Sequence, residues 1–403
     1  MTQAPAAPRL GLAILLAALS MVSPFSIDTF FPSFRAISAE FHLNEFQIQQ
    51  TLTAYVFPYG FMALVHGPLS DALGRRPIVI WGLTLYALAS IGCALAPSFA
   101  TLIAFRAMQG MTAGAGMIAA RAIVRDLYDG PQAQQLMSTI TMIMGIAPAV
   151  APILGGWIHV TSGWRAVFVF MTLIGAGLVV ASALRLPETH PPQQRRPFRL
   201  RALIAANWSV ARHPESMLLA TANGLSFAVV LMYIGAAPAI VLDQWKMTET
   251  QFAALFVPSI GGFVTGALVS GRLAGRTRRE RQLRIGFAIM LAAVLVRCAL
   301  HGSGVAVPVL AQQTLLFCSA AGVQIAGPIL ALRLLDLFPH ARGSAASVQS
   351  FVALMIMAFV FGAVVPAIHG SLLGLAVGSG LAAMLSAGFT WAGKRVRSRP
   401  GAA

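Results

Sequence analysis

Charge is scarce in this chain, and negative charge is scarcer still. Only 10% of its 403 residues are Asp, Glu, Lys or Arg, with 12 acids against 28 bases. A water-soluble domain usually carries about a quarter of its residues charged, so a hydrated globule around one core is excluded. The three cysteines, Cys93, Cys298 and Cys318, each fall inside an apolar stretch. None stands at metal-ligand spacing or suggests a disulfide framework, so they read as packing residues. There is no metal cluster, no nucleophile and base pair, no phosphate-cradling Walker loop and no filter sequence. An enzyme or a channel is therefore disfavoured, and no cofactor or metal is expected. Without a nucleotide site, any transport must draw on an ion gradient.

What the chain has in abundance is apolar sequence. Hydrophobic residues make up 57%, and the mean hydropathy is +0.77. Twelve apolar runs reach the ~20 residues that a helix needs to cross ~30 Å of hydrocarbon. They lie near 10–32, 47–68, 77–96, 99–121, 135–158, 164–186, 217–242, 251–274, 285–303, 306–332, 344–368 and 371–393. They are too long and too continuous for barrel strands, so the fold class is an all-α integral membrane protein. The first run lacks a small-residue cleavage site and is read as a retained span.

The positive residues orient the spans. With a cytoplasmic N-terminus, 23 of the 28 Lys and Arg fall on the inside, in segments such as "RLPETHPPQQRRPFRLRALIAANWSVARHPE", "GRLAGRTRRERQLR" and the tail "GKRVRSR". Arg35, Arg165, Lys246 and Arg297 are then outside, and Arg106 lies within a helix. This asymmetry accounts for the net charge of +16 by the positive-inside rule and removes nucleic acid as a partner. The expected setting is a bacterial inner membrane, multi-pass, with both termini cytoplasmic and membrane lipid around a monomer.

Residues 187–216 form the longest polar interruption and divide the chain into an N-terminal six-helix half, 1–186, and a C-terminal six-helix half, 217–403. The Pro, Gln and Arg content of the interruption reads as a cytoplasmic linker. Two similar halves suit a carrier with its site between them near the midplane. Between spans two and three stands "GPLSDALGRRPIVIWG". Gly67 and Gly74 permit close approach and unusual dihedrals, Pro68 and Pro77 are expected to mark helix ends, and Asp71, Arg75 and Arg76 form a charge cluster at the membrane surface.

The pattern G-x-L-S-D-x-x-G-R-R resembles motif A of the major facilitator superfamily, at the position where that family carries it. The resemblance implies the major facilitator fold, twelve helices in two halves. It also implies that Asp71 and the arginines latch the halves together on the cytoplasmic side in the outward-open state. "RAMQGMTAGAGMIAARAIVRDLY", from Arg106, resembles motif B of proton-coupled members. "GIAPAVAPILGGWI", with Pro148, Pro152, Gly155 and Gly156, resembles the antiporter motif C, although Ala151 stands where Gly is usual. "SIDTFFPSFRAISAEF" matches the opening of one subgroup, so the chain resembles the Bcr/CflA family of drug-resistance antiporters. The second-half counterpart of motif A, "GRLAGRTRRERQLRIG", lacks the Asp and the Gly-Arg-Arg core.

Asp28 and Arg106 are the embedded acid and base. Counting 1.5 Å per residue from the helix ends puts both on the order of 6 to 10 Å below the periplasmic surface. Charges in hydrocarbon usually face a cavity and pair, so these two are the expected proton-coupling residues. Tyr55, Met142, Asn223, Tyr233, Gln324 and Gln349 are candidate substrate contacts, each with helix-to-helix bonding or core filling as the plainer reading. In span two Pro58 is expected to interrupt the helix. The expected function is proton-coupled antiport of small amphipathic drugs out of the cytoplasm, the partners being the small-molecule substrate and protons. The alternative is a carrier for one metabolite, such as a sugar or amino acid, on the same fold.

Overall fold

The computed structural model describes residues 10–195 and 197–397, all of it helix and connecting segments with no strand among the described residues. Arg9, Arg196 and Arg399, counted above among the basic residues, lie outside the described residues. Helices α1 (Leu10–Asp28), α2 (Glu45–Leu73), α3 (Arg75–Ala94) and α4 (Phe99–Leu127) come first. The stretch Gly130–Arg185 is helical over 56 residues but turns at Gly163 (φ 79°, ψ 173°), which divides it into α5 (130–162) and α6 (164–185). After a connection with a short helix at Leu200–Ala211 come α7 (Pro214–Gly235), α8 (Ala253–Leu273), α9 (Arg279–Gly302) and α10 (Val309–Leu337). Helix α11 begins at Arg342–Phe359 and continues through a π-turn, Val360–Val364, to Ile368; α12 is Leu372–Arg397. In lipid every backbone N–H and C=O must be satisfied within the chain, and a bundle of long helices does this.

The corners at Gly74 and Gly275, and the 186–213 connection, lie at one end of the bundle with most of the arginines, the basic end. Gly163 and the α1–α2 and α7–α8 connections lie at the opposite end, the far end.

Two expectations about proline fail. Pro58 and Pro68 both sit inside α2, which runs unbroken to Leu73. A proline in a membrane helix loses one bond, and neighbouring helices and side chains compensate. The stop is Gly74 instead, at φ 101° and ψ 157°, a conformation that a residue with a Cβ rarely adopts. The polar run after Gly67 is thus the last two turns of α2 and a one-residue corner, not a loop. Pro77 falls in the first turn of α3, where its missing N–H has no helical partner in any case. The cysteines are free, as packing residues are.

The halves meet toward the far end. Arg35 pairs with Asp243, Gln49 Nε2 donates to the Gly235 carbonyl at 2.9 Å and Gln50 Nε2 to that of Gly362 at 3.1 Å. The Phe31 and Phe256 rings lie 5.9 Å apart. Toward the middle, Phe61 and Phe351 make an edge contact at 5.1 Å. On the basic side of that contact, Gly67 of α2 and Gly271 and Gly343 of the other half have open space where a Cβ would stand.

Candidate functional site

Arg106 is fully buried on α4. Its Nε donates to the Thr51 carbonyl at 3.2 Å, and its Nη1 to the Ser26 carbonyl at 3.3 Å and to Gln109 Oε1 at 2.8 Å. Gln109 in turn donates to Ser90 Oγ at 2.7 Å. The rings of Phe30 and Tyr55 stand 4.4 and 4.5 Å from the guanidinium carbon, a desolvated cation–π cage. Two side chains of α4, Arg106 and Gln109, therefore tie α1, α2 and α3 together. Gly110, one turn on, lets α2 approach so closely that a Cβ there would strike the Tyr55 carbonyl.

Asp28 is not part of this cage. It is 5% exposed and makes no ion pair among the described residues. Arg106 takes the backbone carbonyl of Ser26 and the ring of Phe30, which lies past the end of α1, while the Asp28 side chain leaves the last turn of α1 about 200° round from Ser26. The expected pair shares a depth but not a face. Ser26 and Phe30 were the missed members of the site; one contributes its backbone carbonyl and the other lies past the end of α1, so no helical spacing pointed to them.

Arg297, expected outside, is instead the second embedded arginine. It lies inside the apolar run 285–303, and in α9, which ends at Gly302, it is buried at 1% exposure. Its guanidinium carbon stands 4.3 Å from the Tyr233 ring, and Nη2 donates to Ser319 Oγ at 3.2 Å. Each half thus holds one buried arginine over a tyrosine ring. Tyr55 and Tyr233 serve those cages, not an open cavity.

The other candidates are scattered. Asn223, 8% exposed, has an unpartnered Oδ1, which would stand 3.6 Å from a Cβ at Gly327 of α10. Gln349 is buried on α11 and Gln324 half-buried on α10, while Met142 of α5 is 59% exposed. Asn223 is the member of this set whose unpartnered acceptor is sealed from solvent.

At the basic end the motif A residues form one network inside the N-terminal half and the segment after it. Arg75 Nη1 lies 2.5 Å from Asp71 and 3.1 Å from Ser70 Oγ, and its Nε lies 3.1 Å from Asp126. The Arg75 backbone N–H donates to Glu188 at 3.0 Å, and Arg76 Nη2 to the Ala183 carbonyl at 2.6 Å. A Cβ on Gly74 would meet only the far ends of the Glu188 and Arg195 side chains, which can move aside, so it is the dihedral that requires glycine at this corner.

In α5, Pro148 and Pro152 lie within the helix, and Ala147 and Ala151 pack on Phe25 of α1. The two glycines that follow face different partners. A Cβ on Gly155 would meet the Thr29 carbonyl at the end of α1, and one on Gly156 the Glu249 carbonyl in the other half. Motif C is thus a contact surface for its own half and for the inter-half seal.

The geometry agrees with the comparisons. The Major Facilitator Superfamily model matches residues 16–362. The MFS-type transporter YdgK of Bacillus subtilis (strain 168) is 33% identical over 299 residues, 73% of this chain and 74% of that protein. The bicyclomycin resistance protein homolog of Haemophilus influenzae is 31% identical over 277 residues, 68% and 69% of the two chains. Among solved structures, a bacterial homolog of the human lysosomal transporter Spinster, in an inward-facing, unoccupied conformation, superposes with a TM-score of 0.69 at 16% identity, covering 98% of this chain and 100% of that one. The chain therefore belongs to the major facilitator superfamily, in its Bcr/CflA-type branch.

Proposed function

We propose that this transporter is a proton-coupled antiporter that exports small amphipathic compounds, seated in a bacterial inner membrane with both termini and the basic end in the cytoplasm. The observation that carries the reading is Asp28: a buried carboxylate with no ion-pair partner among the described residues. Such a group can take up a proton without breaking an ion pair, and an intramembrane carboxylate is by default a site of ion or substrate handling. The resistance named for the Haemophilus relative supports a drug as cargo. The contacts gathered at the far end, with open space beside Gly67 and Gly271, support a resting state closed to the periplasm and open to the cytoplasm. Binding of a proton at Asp28 and of cargo between the halves then bias the two end states in opposite senses.

The test is substrate-induced proton release from detergent-solubilised protein near neutral pH, with the cargo chosen by a growth screen of a pump-deficient host. Amphenicols, sulfonamides, bicyclic antibiotics and lipophilic cations form the panel, with sugars and amino acids as controls. Release with a drug that is abolished in Asp28→Asn is the expected result. Response to a single sugar or amino acid would replace the drug reading with that of a metabolite carrier. Undiminished release from Asp28→Asn would remove the coupling role.

A further inference from the structure

The two halves carry a matching corner at the basic end and fill it with opposite chemistry. Between α2 and α3, Gly74 (φ 101°) is surrounded by acids: Asp71 and Asp126 hold Arg75, and Glu188 holds Arg195 at 3.6 Å. Arg75 and Arg195 are neutralised there by the chain itself. Between α8 and α9, Gly275 (φ 75°) makes the corresponding turn. Beside it a concavity of about 600 Å³ is lined by Arg276, Arg278, Arg281 and Arg284 with Thr277 and Glu280. Glu280 is the one acid in that lining, and its carboxylate is already taken by Arg333 and Lys394. Arg279 points elsewhere, to Asp336 at 2.8 Å. The four lining arginines are exposed and make no ion pair among the described residues.

Four guanidiniums within nine residues repel one another, and here the fold supplies no counter-charge. Phosphate oxygens match the guanidinium fork, accept paired hydrogen bonds from it and can be shared between several arginines. The surface below says what carries the phosphate. The exposed face of α9 that begins with Arg281 and Arg284 continues as Ala288, Ala292 and Leu295, steps of three and four that keep to one side of the helix. From Arg284 to Leu295 is roughly 16 Å at 1.5 Å per residue, about the depth of one leaflet of a ~30 Å hydrocarbon core. On α8, Val264 and Leu268 are exposed as well. A free phosphate would use the arginines and leave this stripe idle, whereas a phospholipid uses both.

We propose that the α8–α9 corner is a binding site for an anionic phospholipid. Its phosphodiester is held by Arg276, Arg278, Arg281 and Arg284, and an acyl chain lies along Ala288, Ala292 and Leu295. Juxtamembrane arginine clusters attract anionic headgroups in general. The difference here is a bowl whose own acid is occupied, set above an apolar track, in the half that lacks the acidic partners of its counterpart. The lipid then neutralises in the C-terminal half what Asp71, Asp126 and Glu188 neutralise in the N-terminal half.

The experiment is native mass spectrometry of the delipidated protein, titrated in parallel with dioleoyl phosphatidylglycerol and dioleoyl phosphatidylcholine. One phosphatidylglycerol should bind at least tenfold more tightly than phosphatidylcholine. R278Q/R281Q/R284Q should lose that preference, and the single change Arg281→Gln should weaken it about threefold. R199Q/R201Q, on the surface helix Leu200–Ala211 and the residue before it, should keep it. Unchanged phosphatidylglycerol binding in the triple variant would overturn the site. Equal loss in R199Q/R201Q would reduce it to net charge. Displacement of the lipid by millimolar inorganic phosphate would make it a free-anion site and overturn the lipid assignment. Because these side chains are exposed, the variants should fold, and an unchanged melting temperature with weakened lipid binding separates the lipid role from a structural one.

Discussion

Arg106 is held by the Ser26 carbonyl at 3.3 Å, while Asp28, two residues further along α1, takes no part in the contact. The arginine's role in this state is architectural, since its partners are carbonyls, an amide and two rings. Arg106→Ala should therefore destabilise the N-terminal half by about 3 kcal/mol or more, through two lost cation–π contacts and three acceptors left in a dry site. Arg106→Lys keeps the charge but cannot cover both rings, and should recover only part of the loss. Fluorescence-detected thermal unfolding in detergent measures both. A melting temperature for Arg106→Ala equal to that of the parent would show that the cage is not holding the helices.

Asp28→Asn should behave in the opposite way. No ion pair is lost, and a neutral isostere replaces a charge that is costly to bury. Its stability should stay within about 1 kcal/mol of the parent's or rise, while proton release and resistance disappear. If Asp28→Asn melts far below the parent, the carboxylate is a structural group and its loss of transport says nothing about coupling.

Much of this was legible in the sequence because the bilayer imposes a length and a composition on each span. The corner at Gly74 was legible as well, since its dihedral requires a glycine. Which way a buried side chain points was less so. The depth of Asp28 follows from counting residues, but its azimuth depends on where neighbouring helices stand, and these are set by contacts distant in sequence. Arg297 was misplaced for a related reason. It stands near the outer end of its run, where a charge reads as reaching water, and the aromatic partner that lets it stay buried, Tyr233, comes from α7, 64 residues earlier. Pro58 and Pro68 were misread because a proline's local cost is visible in sequence while the neighbours that absorb it are not.

At the basic end, stability and turnover should separate. Asp71 is about half exposed and is one of several partners of Arg75. Asp71→Asn should cost no more than ~1 kcal/mol yet slow transport at equal expression, on the reading, implied by the motif A resemblance, that Asp71 latches the halves together when the cytoplasmic side is closed. Asp126 is less exposed than Asp71 and also accepts from Thr189 at 2.8 Å. Asp126→Asn should lower the melting temperature more than Asp71→Asn does. Normal turnover in Asp71→Asn would reduce motif A to a corner that merely joins two helices.

The sharpest contrast is between the adjacent glycines of α5. A Cβ on Gly155 meets the Thr29 carbonyl within the same half, and one on Gly156 meets the Glu249 carbonyl across the seal. Backbone cannot yield as a side chain can, so each Ala substitution forces a displacement, at a cost of about 1–3 kcal/mol. For Gly155→Ala that cost falls on the N-terminal half and should appear as lower thermal stability. For Gly156→Ala the halves can relieve it by parting, so the far end should open with little change in melting. Cysteines placed at Arg35 and Asp243, which form an exposed ion pair across that end, report the difference once Cys93, Cys298 and Cys318 are replaced. Disulfide formation between the two introduced cysteines should slow at least severalfold in Gly156→Ala, since 1 kcal/mol against closure is already about fivefold in population, and should be nearly unaffected in Gly155→Ala. Equal cross-linking rates in the two variants would show that Gly156 is not part of the seal.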